Sequence, residues 1–202
     1  RNVSESRKHF VKAFGASTIY SSEFEGSDGA ILLANKIYAE NPDKYFMPNQ
    51  YNNQMNVQAH YETTGVEIWE QTDGKVTHFV ATMGTSGTAM GTTKRLKEYN
   101  QKVHCIGGQP EGSLHGLEGL KHMPSSIVPG IYDESVLDEV YWLETEPAYT
   151  MMNRLASEEG LLVGYSSGAA MGASMELANK IDKGVIVTVF PDHGDRYFEC
   201  EG

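Results

Sequence analysis

The chain has 202 residues, 40% of them apolar, with 27 acidic against 16 basic side chains and a formal net charge of −11. The apolar share is enough for a packed core, and the acidic balance argues against nucleic acid and anionic membrane as partners. Cys105 and Cys200 are too few for a disulfide framework, the seven histidines lack metal-ligand spacing, and no apolar run approaches the ~20 residues that cross a bilayer.

Along the chain, Glu5–Phe14 reads as a helix stopped by Gly15, followed by "STIYSS" as a short strand. The segment "SDGAILLANKIYAE" reads as a second helix, capped by Ser27 or Asp28, with Ile31, Ala34, Ile37 and Tyr38 as its apolar stripe. The stretch "DKYFMPNQYNNQMN" has no periodicity and reads as a crossing between layers or domains. A further helix is expected in "AHYETTGVEIWEQT", despite Gly65.

From there strands and helices alternate. "VTHFVATM" is a predicted strand, Ala89–Tyr99 a helix and "KVHCIGG" a strand with Cys105 buried in it. A long loop, "GSLHGLEGLKHMPSSIVPGIYDES", leads to the strand "DEVYWLE". The next helix has Thr145 as cap, Pro147 in its first turn, an apolar face of Ala148, Met151, Met152 and Leu155, and Gly160 as stop. "LLVG", the turn "YSSGAA", a helix to about Ile181 and the buried-type strand "GVIVTVF" complete the pattern. Such alternation predicts an α/β fold, a parallel sheet with helices on both faces.

Two small-residue turns stand between strand and helix, where open parallel sheets bind ligands. The first, Gly84-Thr85-Ser86-Gly87-Thr88, lets backbone N–H groups crowd at a helix start, which suits an anion. It lacks the lysine of a nucleotide-triphosphate loop and the spacing of a dinucleotide fingerprint. A monophosphate fits better, held by N–H groups and the hydroxyls of Thr85, Ser86 and Thr88. The second turn, Gly164–Ala170, is of the same kind, although a serine there would equally serve as a helix cap.

Together "HYETTGVEIWEQT", "GTSGT", "EEGLLVGYSSGAA" and "FPDHGDRYF" resemble the cysteine synthase (O-acetylserine sulfhydrylase) family, and the opening helix resembles that family's "MSxERRxxLxAxGA". These are pyridoxal-phosphate (PLP) enzymes sharing the tryptophan synthase β-like fold with cystathionine β-synthase. The resemblance implies that Gly84, Thr85, Ser86, Gly87 and Thr88 cradle the pyridoxal 5'-phosphate group and that Ser166 meets the pyridine nitrogen. It further implies that Gln50 contacts the amino-acid substrate and that the His115–Gly119 loop, with Gly116 and Gly119, lines a mobile substrate entrance. Residues 1–49 would be the remainder of a smaller N-terminal domain and 50–202 the larger PLP-binding domain.

The implied activity is β-replacement on O-acetylserine by sulfide, giving cysteine and acetate. Cystathionine β-synthase or O-phosphoserine sulfhydrylase activity is the alternative, because the entrance loop is longer than the "GIGAG" type. The resemblance also implies a homodimer and a site able to take the C-terminal peptide of serine acetyltransferase, and with only two cysteines a reducing cytoplasm is the default expectation. Three departures stand out. The family's "QFxNPANP" is here "QYNNQMNV", without either proline, which predicts a less rigid crossing around Gln50. His193 replaces a family serine near the expected ring end of the cofactor and is expected to be a surface residue or a support behind the site rather than a chemical participant. The Schiff-base lysine and the "TSGNTG" loop of the family lie upstream of these residues, so the sequence is expected to be N-terminally incomplete and inactive by itself as an enzyme or, in the other class of reading, to act as a binding partner. Lys121 is the one lysine near the entrance loop, and a surface loop would not desolvate its amine.

Overall fold

In a computed structural model, which describes residues 5–22 and 25–197, the apolar run at His78–Thr82 forms strand β1. Successive side chains on a strand point to opposite faces, and here both faces are buried. Phe79 and Ala81 pack with Val57, Ile68, Met90 and Leu96. Val80 packs on the other side with Ile106, Leu143, Ala169 and Leu177. The sheet therefore has helices on both faces: α3 (Met55–Glu62), α4 (Thr64–Gln71) and α5 (Gly87–Tyr99) on one, α6 (Thr145–Glu159) and α7 (Tyr165–Ala178) on the other.

Among the described residues four strands make the sheet: β1, β2 (His104–Pro110), β3 (Glu139–Leu143) and β4 (Ile186–Thr188), in the order β3-β2-β1-β4. Every pairing is parallel, with His78 opposite His104 and Ile186, and Ile106 opposite Glu139. The whole described sheet lies in a larger compact unit, Gln50–His193. A smaller unit draws on residues before Gln50 and the segment from Gly194 onward. It contains α1 (Glu5–Ala13) and α2 (Gly26–Glu40), and leaves Phe10, Phe14, Ile19 and Phe46 exposed.

Several local expectations are corrected. "STIYSS" is not a strand among the described residues, since every described ladder belongs to the larger unit and a strand needs a partner for its N–H and C=O groups. "LLVG" makes only an isolated antiparallel bridge, Val163 to His193. The helix expected over 59–72 breaks at Thr63, whose hydroxyl bonds back to the Ala59 carbonyl at 2.8 Å and bends the chain. Gly65 follows the break because a Cβ there would press on Arg95. Ser27 and Asp28 lie inside the first turn of α2, whose N-cap is Glu25, and Thr145 is likewise inside α6 after Glu144. Gly160 stops α6 in the left-handed region, as its position suggests. Cys105 is buried, and Cys200 lies outside the described residues.

Candidate functional site

The first small-residue turn begins where β1 ends. Met83 N–H donates to the Gly108 carbonyl at 2.8 Å, so β2 still holds the strand at the point where the chain turns. Ser86 then takes a left-handed backbone, φ 73°, and α5 starts at Gly87. The first N–H groups of a helix have no partner within it and sit at its positive end. The two glycines are required by their surroundings. A Cβ at Gly84 would meet the Gly119 carbonyl, and one at Gly87 would meet the Asn56 side-chain amide. Ser86 is 3% exposed, and its hydroxyl has no hydrogen-bond partner among the described residues. A buried, unsatisfied hydroxyl is costly, and this one stands at the N-terminal end of α5.

Two side chains that sequence reasoning missed support the turn from α3. Asn56 Nδ2 donates to the Thr85 hydroxyl at 3.1 Å and to the Gln50 carbonyl at 2.9 Å. His60 joins its Nε2 to the Thr88 hydroxyl at 3.2 Å and its Nδ1 to the Thr64 hydroxyl at 2.9 Å. Burial holds the His60 imidazole below its ordinary pKa, so the ring is neutral at neutral pH. No sequence pattern signals either contact, because each spans nearly thirty positions and arises from the packing of α3 on α5.

The crossing before α3 lacks both prolines of the family pattern, yet it is tied down by hydrogen bonds. Asn52 Oδ1 accepts from Gly130 N–H, Asn53 Oδ1 from Met55 N–H, and the Tyr51 carbonyl from Ile131 N–H. Asparagine hydrogen bonds thus anchor a stretch where the family's prolines would fix φ. Gln50 itself is exposed, next to this anchored stretch.

The entrance loop is pinned at Gly116. Its N–H donates to the Thr145 hydroxyl at 3.0 Å and its carbonyl accepts from the Tyr149 hydroxyl at 2.8 Å. Thr145, expected as a helix cap, instead holds this loop. Tyr149 packs on Tyr165 with ring centroids 4.5 Å apart and planes tilted by 33°, which brings the loop to the start of α7. Gly119 has φ +90°, a conformation that favours glycine, and lies against Gly84. The sequence-predicted segments are therefore joined by short contacts: Gln50 to Thr85 through Asn56, Gly119 to Gly84, and Gly116 to Tyr165 through Tyr149.

At the second turn Gly164 is the N-cap, and Ser166 and Ser167 lie in the first turn of α7 without capping it. Ser166 is 6% exposed, while Ser167 is fully buried with no partner for its hydroxyl among the described residues. Gly164 N–H donates to the Asp192 carbonyl at 3.2 Å, setting this turn beside His193, which is exposed. The expectation of a surface Lys121 is wrong: the residue is 2% exposed. Its N–H donates to the Met83 carbonyl at 3.0 Å, drawing the loop inward, and its amine lies 5.3 Å from the centre of the Tyr51 ring. A groove of about 650 Å³ lies elsewhere, between α3, α5 and Ser135–Asp138, and none of residues 84–88 lines it. Among its charged residues Lys97 pairs with Asp138, and Glu98 pairs with Arg95.

Comparison with known proteins decides the family. The family model described as pyridoxal-phosphate dependent enzyme matches residues 1–192. The chain belongs to that family. It is 52% identical to the cysteine synthase of Aquifex aeolicus over 200 residues, 97% of this chain and 61% of that protein. It is 40% identical to a Bacillus subtilis protein named O-acetylserine dependent cystathionine beta-synthase, covering 97% of this chain and 66% of the relative. The structure superposes on O-acetyl serine sulfhydrylase isoform 3 of Entamoeba histolytica with a TM-score of 0.85 and 34% identity, over 96% of this chain and 60% of that one. The chain thus spans about three fifths of the length of relatives such as the Aquifex enzyme.

Family members depend on PLP, and the first turn fits its phosphate group. The unsatisfied Ser86 hydroxyl and the N-terminus of α5, in a turn whose glycines let the backbone approach the Gly119 carbonyl and the Asn56 amide closely, supply donors for an anion. Among the described residues no group of three or more His, Cys, Asp or Glu side chains is placed to hold a metal ion. No described helix is long and apolar enough to cross a membrane.

Proposed function

We propose that the full-length protein is a cysteine synthase, converting O-acetylserine and sulfide to cysteine and acetate. The observation that carries this reading is the 84–88 turn, with its buried unsatisfied hydroxyl, in a chain half identical to a cysteine synthase. PLP supplies an electron sink for the carbanion at the substrate Cα. Gly84–Thr88 would hold its phosphate through first-turn N–H groups and the Thr85, Ser86 and Thr88 hydroxyls. Ser166 would face the pyridine nitrogen with a neutral hydroxyl instead of a carboxylate. A neutral partner does not favour a protonated ring, and the weaker sink suits elimination of a good leaving group such as acetate. Gln50, Gly116 and Gly119 would position the amino-acid substrate.

In this reading the smaller unit is the remainder of an N-terminal domain, the protein is a cytoplasmic homodimer, and its cleft takes the C-terminal peptide of serine acetyltransferase. The Bacillus relative's name favours a second reading, in which a thiol amino acid replaces sulfide. Assay of the full-length protein with O-acetylserine, O-phosphoserine and serine, each with sulfide or homocysteine, separates these. Highest kcat/KM with O-acetylserine and sulfide is expected, and a preference for homocysteine would transfer the assignment. Borohydride reduction of the holoenzyme should fix the cofactor to a lysine outside residues 1–202. An adduct on the buried Lys121 would overturn the proposed placement of the reactive amine.

A further inference from the structure

Thr85 sits in the turn as a hydroxyl with both acceptor positions taken. Asn56 Nδ2 donates to it at 3.1 Å and Gly87 N–H, at a longer 3.4 Å, donates from the other side. A hydroxyl has two lone pairs and one hydrogen. With both lone pairs engaged, the O–H must donate, and no acceptor for it is found among the described residues. The Asn56 amide cannot be turned round to relieve this. Its nitrogen also faces the Gln50 carbonyl at 2.9 Å, and an oxygen there would set acceptor against acceptor. Its oxygen is the atom that would meet a Cβ at Gly87.

We infer that Asn56 is a positioning residue that makes Thr85 an obligate hydrogen-bond donor to a bound phosphate monoester and carries the Gln50 segment with it. This rests on the phosphate reading of the turn and extends it. The turn selects an anion through a side-chain amide outside its own sequence. The same amide fixes the backbone of the segment proposed to meet the substrate, so occupancy of the phosphate hollow and placement of Gln50 are linked. An aspartate at position 56 keeps the shape but donates nothing. It invites the Thr85 hydrogen to itself, opposes the Gln50 carbonyl and brings a negative charge beside the phosphate.

The test is a binding measurement on the full-length protein stripped of cofactor, using inorganic phosphate by ³¹P NMR and PLP by equilibrium dialysis. Relative to the parent, Asn56→Asp should raise the phosphate Kd by about 10- to 100-fold and Asn56→Ala by about 3- to 10-fold, the range of one lost bond to a charged or neutral group. Thr85→Val should lose about tenfold, and Thr85→Ser, which keeps the hydroxyl, about twofold or less. The deciding result is the double variant: in the Thr85→Val background, Asn56→Ala should change phosphate affinity by less than about twofold. A residue that merely supports the fold would give additive losses, and additivity would overturn the inference. So would unchanged affinity in Asn56→Asp. If Asn56→Ala fails to fold, the isosteric Asn56→Asp, alone and with Thr85→Val, carries the same comparison. A parent that binds neither phosphate nor PLP would overturn the phosphate reading and this inference together, whereas a binding parent with indifferent variants would overturn this inference alone.

Discussion

The two small-residue turns look alike as written, "GTSGT" and "YSSGA", but the molecule uses their glycines for different ends. In the first, Gly84 and Gly87 face the Gly119 carbonyl and the Asn56 amide, whose nitrogen also donates to the Thr85 hydroxyl. In the second, a Cβ at Gly168 would meet the Ala148 carbonyl and the Met152 side chain, so this glycine lets α6 and α7 close on one another. The serines differ in the same sense. Ser86 is held at φ 73°, a conformation that costs a non-glycine residue about 1 kcal/mol or more. Ser166 and Ser167 follow Gly164 into ordinary helix. Each turn buries an unsatisfied serine hydroxyl, Ser86 and Ser167, but left-handed strain at the first, against plain helix packing at the second, separates a turn shaped for a ligand from one shaped mainly by its neighbours.

The hardest way to break this contrast is to place a carboxylate in the first hollow. In the full-length protein Gly87→Asp should abolish PLP retention on desalting. The new side chain meets Asn56, and its charge opposes the phosphate. Far-ultraviolet circular dichroism should remain close to that of the parent. A Gly87→Asp protein that keeps its cofactor would end the phosphate assignment.

The matching change in the second turn should act on the fold instead. Gly168→Ala forces a methyl against the Ala148 backbone and should destabilise by about 1–3 kcal/mol in urea unfolding. Phosphate affinity measured well below the unfolding midpoint should stay within about twofold, since the change is one of packing. Equal stability with weakened phosphate binding would mean that the two turns had been told apart wrongly.

How far this contrast was legible in the sequence varies residue by residue. The runs at Phe79–Ala81 and Cys105–Ile106 announce doubly covered parallel strands, because apolar side chains on both faces need two layers of helices. "LLVG" has the same composition but no strand beside it to complete a ladder, which no local pattern reveals. The glycines and hydroxyls of the 84–88 turn could be read from chemistry alone. Asn56 and His60 could not, because their contacts with Thr85 and Thr88 are made across two helices. Lys121 misled for a related reason. Charge and nearby glycines suggest a surface, while its burial is set by a backbone bond to Met83.

A gentler change sharpens the contrast from the strained side. Ser86→Gly removes the left-handed penalty and also the unsatisfied hydroxyl, so the cofactor-free protein should gain roughly 0.5–1 kcal/mol. The same variant should bind phosphate about 3- to 10-fold more weakly, having lost one donor. Opposite signs in one variant are the mark of a conformation kept for a ligand. If stability and affinity fall together, Ser86 is an ordinary structural residue.

The smallest expected effect concerns pH and the support behind Thr88. His60 has its pKa lowered from 6.5 by burial, so the folded state resists the proton that the unfolded chain accepts. The sign follows directly. The stabilisation is fully present above 6.5, falls as pH drops from 6.5 through the folded-state pKa, and levels off below it. Protonation also makes both ring nitrogens donors, so any bond in which a threonine hydroxyl donates to the ring is lost. Urea midpoints of the cofactor-free protein should therefore fall more steeply between about pH 7.5 and pH 5 in the parent than in His60→Gln, whose amide does not titrate. Saturating inorganic phosphate should reduce the parent's loss, because an anion beside Thr88 favours the charged ring. Gly168→Ala, at the packing turn, should leave the parent's pH slope unchanged. Parallel curves for the parent and His60→Gln would show that the imidazole behind the first turn contributes nothing to its pH dependence.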